Sequence, residues 1–181
     1  MSLAISVDMP RTARPPTEGV IQHVVNRGNY RRVLFPDDSH YQWFVTLLQI
    51  ARSRFPVRLL AYCLMPNHFH LVLWPLERRA LAAYMHWVTT SHVRRHHRVQ
   101  DEDGLGHLYQ DRYRNVAIGT EIQLLVLLKY VESNPVRAGL VSRAENWPWS
   151  SLGHYIGNPS CCPIDESPVP RLPNWLDFVN E

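Results

Sequence analysis

Met65-Pro66-Asn67-His68-Phe69-His70-Leu71-Val72-Leu73-Trp74 is the stretch on which the reading of this chain turns. Residues 68–74 are rich in β-branched and aromatic side chains and are closed by Pro75, which marks a strand. Strand side chains alternate between the two faces of a sheet, so His68 and His70 share one face while Phe69 and Leu71 face the opposite, buried side. Two imidazoles on one strand face make half of a metal site, neutral imidazole being the commonest protein metal ligand. The alternative is an exposed strand face that happens to carry two histidines, and the pair alone does not choose between them.

Working outward, residues 57–64 read as a second strand joined to the histidine strand by the tight Met65-Pro66-Asn67 connection, the two pairing antiparallel. Val20 to Asn26 is an earlier strand ending at Arg27-Gly28-Asn29-Tyr30-Arg31-Arg32, where glycine permits a turn. Asp37-Asp38-Ser39 offers N-caps for a helix running to about Phe55, with Phe44, Leu47, Leu48 and Ala51 at helical spacing and Pro56 as its end. A second helix is expected from Leu81 to about Arg98, then a loop over 101–106. Leu108 to Ile118 is expected to be extended and to supply the fourth strand, with Arg112 and Arg114 on one face. Thr120-Glu121-Ile122-Gln123 fits a capping box opening a third helix, which Pro135 is expected to stop. The order β-α-β-β-α-β-α predicts an α+β fold, a ferredoxin-like or RRM-like antiparallel sheet with helices packed on one face. Residues 1–19 read as an arm, 20–155 as the domain, and 156–181 as a Pro-rich acidic tail with a solvated end.

The chain has 181 residues, 45% of them hydrophobic, enough for one core. No apolar run is long enough to cross a membrane, and the first residues lack the pattern of a secretory signal. Cys63, Cys161 and Cys162 follow no zinc-knuckle spacing and suit a reducing cytoplasm. Residues 1–143 carry 18 Lys+Arg against 11 Asp+Glu, while residues 144–181 carry one Arg against five acids. That sign asymmetry accompanies nucleic-acid binding, and all but one of the basic residues are Arg, whose planar fork matches phosphate.

Tyr130 and Asn134 are one helical turn apart and so share a helix face. A phenol can attack phosphorus or a carbonyl, and an Asn oxygen suits a hard divalent cation such as Mg²⁺ or Mn²⁺. Two imidazoles, that oxygen and open positions for water and a phosphate oxygen make a coherent catalytic centre. A tyrosine on the rim of an apolar helix is the competing reading of Tyr130.

Taken together, Asn26-Arg27-Gly28-Asn29, Leu64 to His70, Gln110-Asp111-Arg112-Tyr113-Arg114, Tyr130 to Val141 and Trp147-Pro148-Trp149-Ser150-Ser151 resemble the HUH-superfamily single-tyrosine transposases, in particular the REP-associated tyrosine transposases. The resemblance spans about residues 10–155. It implies the HUH endonuclease fold and a metal-dependent endonuclease and strand transferase acting on single-stranded DNA hairpins, the repetitive extragenic palindromes. It further implies His68, His70 and Asn134 as metal ligands, Mg²⁺ or Mn²⁺ as cofactor, and Tyr130 as the nucleophile forming a 5′-phosphotyrosine link. A monomer or homodimer in the cytoplasm, associated with the nucleoid, is the corresponding expectation. Tyr109 stands where members of the family often carry Trp, a swap expected to preserve packing or stacking.

Single strands are held by basic grooves with aromatic platforms. Arg27, Arg31 and Arg32 around Tyr30, the run Arg94, Arg95 and Arg98, and Arg112 with Arg114 are the candidate DNA contacts. Trp147 and Trp149 read as packing residues, and His23, His86, His92 and His107 as structural or surface histidines. The competing functions are a catalytically silent DNA-hairpin-binding regulator and an RNA-acting protein on an RRM-like sheet, although no RNP aromatic pattern is present.

Overall fold

A computed structural model describes residues 17–100, 106–158 and 161–181. The expected arm therefore lies almost wholly outside the described residues, as does most of the expected 101–106 loop. The elements run β1 (Ile21–Arg27), α1 (Asp38–Arg54), β2 (Val57–Met65), β3 (His68–Pro75), α2 (Ala80–Gln100), β4 (Arg114–Ile118), α3 (Glu121–Arg137), α4 (Leu152–Tyr155) and α5 (Trp175–Asn180). The sheet order is β2-β3-β1-β4 with every pair antiparallel. This is the α+β arrangement expected from the sequence.

Local chemistry sets the helix starts. The Asp37 carboxylate accepts from the backbone N–H groups of Ser39 and His40 at 2.9 and 3.2 Å, an N-cap worth about 1 kcal/mol. At α3 the Thr120 hydroxyl accepts from Gln123 N at 3.2 Å, while Gln123 Oε1 accepts from Gly119 N at 3.0 Å. The return bond of this capping box thus reaches one residue further back than the standard pattern.

The helices do not share one face of the sheet. Helices α1 and α2 pack on the face carrying Val24, Phe69, Leu71 and Leu73. Helix α3 packs on the other, against Leu60, Cys63, Met65 and Val72, and α5 joins that cluster through Trp175 and Val179. From Leu59 onward β2 is therefore apolar on both faces, with a bulge between Leu59 and Ala61. The fourth strand is shorter than expected: pairing covers only 114–118, and residues before it touch the sheet through one isolated bridge, Gly28 to Tyr109.

Pro135 does not stop α3, which runs on to Arg137. Proline has no N–H and so leaves one carbonyl of the preceding turn without its helical bond. The helix closes two residues later, where Ala138 N and Gly139 N donate to Asn134 O and Val136 O, Gly139 taking φ +68°. Asn134 is consequently an interior helical residue with a fixed side-chain direction.

The tail is no solvated end. Asp165 ties onto the outer edge of β2, its carboxylate accepting from Leu59 N at 2.8 Å and its N–H donating to Leu59 O at 2.7 Å. Arg171 and Trp175 reach the fully buried Glu132 of α3, donating to its two carboxylate oxygens at 3.0 and 2.6 Å; Ser151 Oγ adds a third bond at 2.6 Å. Its apolar residues sit between acidic and proline positions, so the order of this segment comes from long-range partners. Trp147 and Trp149 pack as expected, Trp147 Nε1 donating to Leu64 O and Trp149 stacking on Tyr41.

Candidate metal and nucleophile centre

Strand parity puts His23, Val25 and Arg27 of β1, His68 and His70 of β3, and Arg114 and Val116 of β4 on the face that α3 covers. In register, Arg27 lies opposite His68, and Val25 opposite both His70 and Arg114. Helix α3 crosses this face so that Tyr130 and Asn134 stand over the histidines. The His68 and His70 ring centroids are 5.0 Å apart. The Tyr130 ring meets the His70 ring edge-on at 5.6 Å, and Asn134 Nδ2 donates to His70 Nε2 at 3.4 Å. The four residues singled out as a centre are thus brought together by two elements of one chain.

Each imidazole has its Nδ1 engaged. His68 Nδ1 lies 2.7 Å from Asn67 Oδ1, which can only accept, so the proton sits on Nδ1 and Nε2 keeps its lone pair. His70 Nδ1 lies 2.9 Å from His23 Nε2. Burial, then the Arg27 charge, lowers the His68 pKa to about 4. Burial, then His23, His68 and Arg27, lowers that of His70 to about 3. Both rings are neutral at neutral pH, the form that gives electrons to a cation.

Among the described residues no group of three or more His, Cys, Asp or Glu side chains is arranged to hold a metal ion. The candidate donor set is instead two imidazole Nε2 atoms and the Asn134 carboxamide, whose oxygen and nitrogen exchange places by a half-turn. Nitrogen and neutral-oxygen donors of this kind fit Mn²⁺ or Mg²⁺ with water and phosphate completing the coordination. On donor chemistry the residues present fit such a cation.

Beside the histidines lies a cleft of about 530 Å³ lined by His23, Arg27, Gln110, Arg112, Arg114 and Tyr130, among others. Three of the sequence-derived DNA candidates, Arg27, Arg112 and Arg114, therefore face it. Arg137 stacks its guanidinium 5.5 Å from the ring centroid of Tyr130, the candidate nucleophile, a neighbour that the sequence did not single out. Tyr30, Arg31 and Arg32 lie in the turn after β1, where Tyr30 is 96% exposed and both Tyr30 and Arg31 have positive φ. That turn is tied to the connection just before the histidine strand through Gly28 N, which donates to Asn67 O at 2.9 Å. Arg94, Arg95 and Arg98 lie on α2, across the sheet from the cleft; Arg94 and Arg98 are exposed, whereas Arg95 stacks on Trp43 at 4.5 Å.

Two histidines read as structural or surface behave differently from one another. His92 is a core residue, its Nδ1 2.6 Å from the Tyr109 hydroxyl. The Tyr109 swap thus supplies a hydrogen bond as well as packing. His23 lies in the site and touches His70. Its parity with Val25 and Arg27 was visible in the sequence, but its neighbour depended on which strand lies beside β1.

A family model described as "Transposase IS200 like" matches residues 17–134. The chain belongs to this family of IS200-like transposases. The family resemblance read from the sequence is borne out at that level. Among solved structures, a REP-associated tyrosine transposase bound to a REP hairpin is similar, with a TM-score of 0.68 at 19% identity over 91% of this chain and 99% of that one. A putative transposase from Deinococcus radiodurans R1 gives a TM-score of 0.47 at 14% identity, over 67% of this chain and 93% of that one. The first likeness shows a shared fold. No curated protein matches the chain. Among the described residues no helix is long and apolar enough to cross a membrane.

Proposed function

We infer that this IS200-like transposase is a metal-dependent endonuclease and strand transferase acting on single-stranded DNA folded into hairpins. The observation that carries this reading is the meeting of Tyr130 with the His68, His70 and Asn134 donor set at the wall of an arginine-lined cleft. The REP hairpin held by the similarly folded transposase supports the substrate class.

In this reading Arg27, Arg112 and Arg114 bind the backbone phosphates entering the cleft and fix the scissile phosphate beside Tyr130. His68, His70 and Asn134 would hold Mg²⁺ or Mn²⁺, which when bound supplies positive charge to the phosphate oxygens. The Tyr130 oxygen attacks phosphorus and its proton passes to solvent. The bond from phosphorus to the 3′ oxygen breaks, and that oxygen takes up a proton as a free 3′ hydroxyl. The 5′ phosphate remains on Tyr130 as a phosphodiester, so the bond energy is kept. Attack by the same or another 3′ hydroxyl reverses the step and releases the tyrosine.

The test is incubation with labelled single-stranded hairpins from the flanks of its own gene, with Mg²⁺ or Mn²⁺, beside Tyr130→Phe. A denaturant-stable protein–DNA adduct that needs the cation and vanishes in the variant is expected. Tight binding without an adduct under either cation overturns the enzyme in favour of a silent hairpin-binding regulator. Absence of binding overturns the substrate class.

A further inference from the structure

Neither the donor set nor the nucleophile accounts for His23, yet its placement is specific. Across the β1/β3 ladder His23 stands opposite Val72, and His70 stands opposite Val25. The two histidines are diagonal neighbours on one face, a separation that planar side chains can span. His23 Nε2 comes within 2.9 Å of His70 Nδ1, and the rings stack at 5.2 Å with planes 16° apart. With Nε2 committed to the back of His70, His23 does not offer that atom to the donor set.

One proton lies between these two nitrogens. His70 Nε2 accepts from Asn134 Nδ2 and must keep a lone pair there to coordinate a cation. A neutral imidazole with a bare Nε2 carries its proton on Nδ1. That proton is then donated to His23 Nε2, and His23 carries its own proton on Nδ1. We propose that His23 is a positioning residue of the metal centre, the acceptor behind His70 that holds this ring as the Nδ1–H tautomer with Nε2 presented to the cation.

The acceptor behind a metal-bound imidazole is usually a carboxylate, a backbone carbonyl or water. A neutral imidazole in that place adds no negative charge to a cleft that must admit a phosphodiester. Asn67 meets the same requirement at His68 with a neutral carboxamide, 2.7 Å from Nδ1. The two metal imidazoles are thus backed by two uncharged acceptors, one local in sequence and one supplied by the neighbouring strand.

The inference rests on the reading that His68, His70 and Asn134 bind Mg²⁺ or Mn²⁺, and its test separates the two. His23→Leu removes the acceptor at similar size, and His23→Gln restores one. Long-range ¹H–¹⁵N spectra of the imidazoles in cation-free protein report the His70 tautomer directly. Nδ1–H is expected in wild type and H23Q, and a mixture with Nε2–H in H23L. Mn²⁺ affinity, followed by EPR titration, is expected to fall about 10–100-fold in H23L and to stay within a few-fold of wild type in H23Q. Thermal unfolding of each variant identifies any that fails to fold. An Nε2–H tautomer in wild type overturns the proposal, as does H23L with wild-type tautomer and affinity. So does H23Q losing as much as a folded H23L, which would show that ring packing alone is what His23 provides. Wild-type protein that binds no Mn²⁺ overturns the metal reading instead, and the tautomer spectra still decide the role of His23.

Discussion

Replacing Arg171 with Met should destabilise the protein far more than an ordinary surface change, because it strands a buried charge. Glu132 is fully buried and the Arg171 side chain is 6% exposed. The substitution removes the guanidinium bond to Glu132 Oε1 at 3.0 Å and another to Leu60 O at 3.1 Å. It leaves the carboxylate with two neutral donors, Ser151 Oγ and Trp175 Nε1. Breaking a buried pair from one side costs about 3–5 kcal/mol. Arg171 Nε is itself buried without a partner, and losing that orphan places the expected cost near the lower end, about 3 kcal/mol. For a chain of this length that lowers Tm by about 6–12 °C. Urea unfolding at pH 7, followed by tryptophan fluorescence, measures the loss. Adding Glu132→Gln removes the stranded charge, so the double variant should be more stable than Arg171→Met alone. The reasoning fails if Arg171→Met lies within about 0.5 kcal/mol of wild type. It also fails if the two substitutions simply add, since contacting partners should couple.

Gly28→Ala would place a Cβ 2.1 Å from Arg32 O; the turn holding Tyr30 must rearrange, and hairpin affinity measured by anisotropy should fall while unfolding of the core changes little. Acid should weaken the fold through His92, whose pKa burial, then His96 and His40, lowers to about 3. Below about pH 6.5 the unfolded chain takes up a proton that the folded one refuses, so stability holds above that pH and falls on acidification, by about 2 kcal/mol at pH 5. Urea unfolding at pH 7 and pH 5 should show a smaller loss in a His92→Leu/Tyr109→Phe variant, and an equal loss would refute the assignment. Arg112→Ala combined with Arg114→Ala should weaken hairpin binding and flatten its dependence on log[salt] by about 2 in slope. An unchanged slope would remove these residues from the DNA interface.

What could be read from the sequence was local. The alternation of His68 and His70, the Asp37 and Thr120 caps and the spacing of Tyr130 and Asn134 each depend on a few neighbouring residues, and each was found, although the return bond of the Thr120 box reaches Gly119. Pro135 misled because a proline's steric demand on the residue before it is a preference that tertiary packing can override; α3 continues through it, buried against the sheet. The division of helices between the two faces was hidden because β2 is apolar on both sides and β3 adds Val72 and Trp74 to the face of its two histidines, which periodicity alone does not apportion. The tail was misjudged, and the neighbour of His23 was out of reach, for one reason: their partners are 47, 39 and 43 residues away in the bonds His23–His70, Arg171–Glu132 and Trp175–Glu132. No pattern within a window of sequence points to a bond of that span.

The seating of α3 also has a consequence in time. Tyr130 and its supporting Glu132 are synthesised roughly 40 residues before Arg171 and Trp175, the side chains that neutralise and cover that carboxylate. On the ribosome the helix bearing Tyr130 waits with a lone acid, Glu132, on the face meant for the core. The strand bearing His68 and His70 is complete long before the helix above it can settle. A product that ends short of Arg171 keeps the His68–His70 pair but leaves Glu132 without two of its three donors, so the segment after Tyr155 completes the seat of the helix that carries Tyr130.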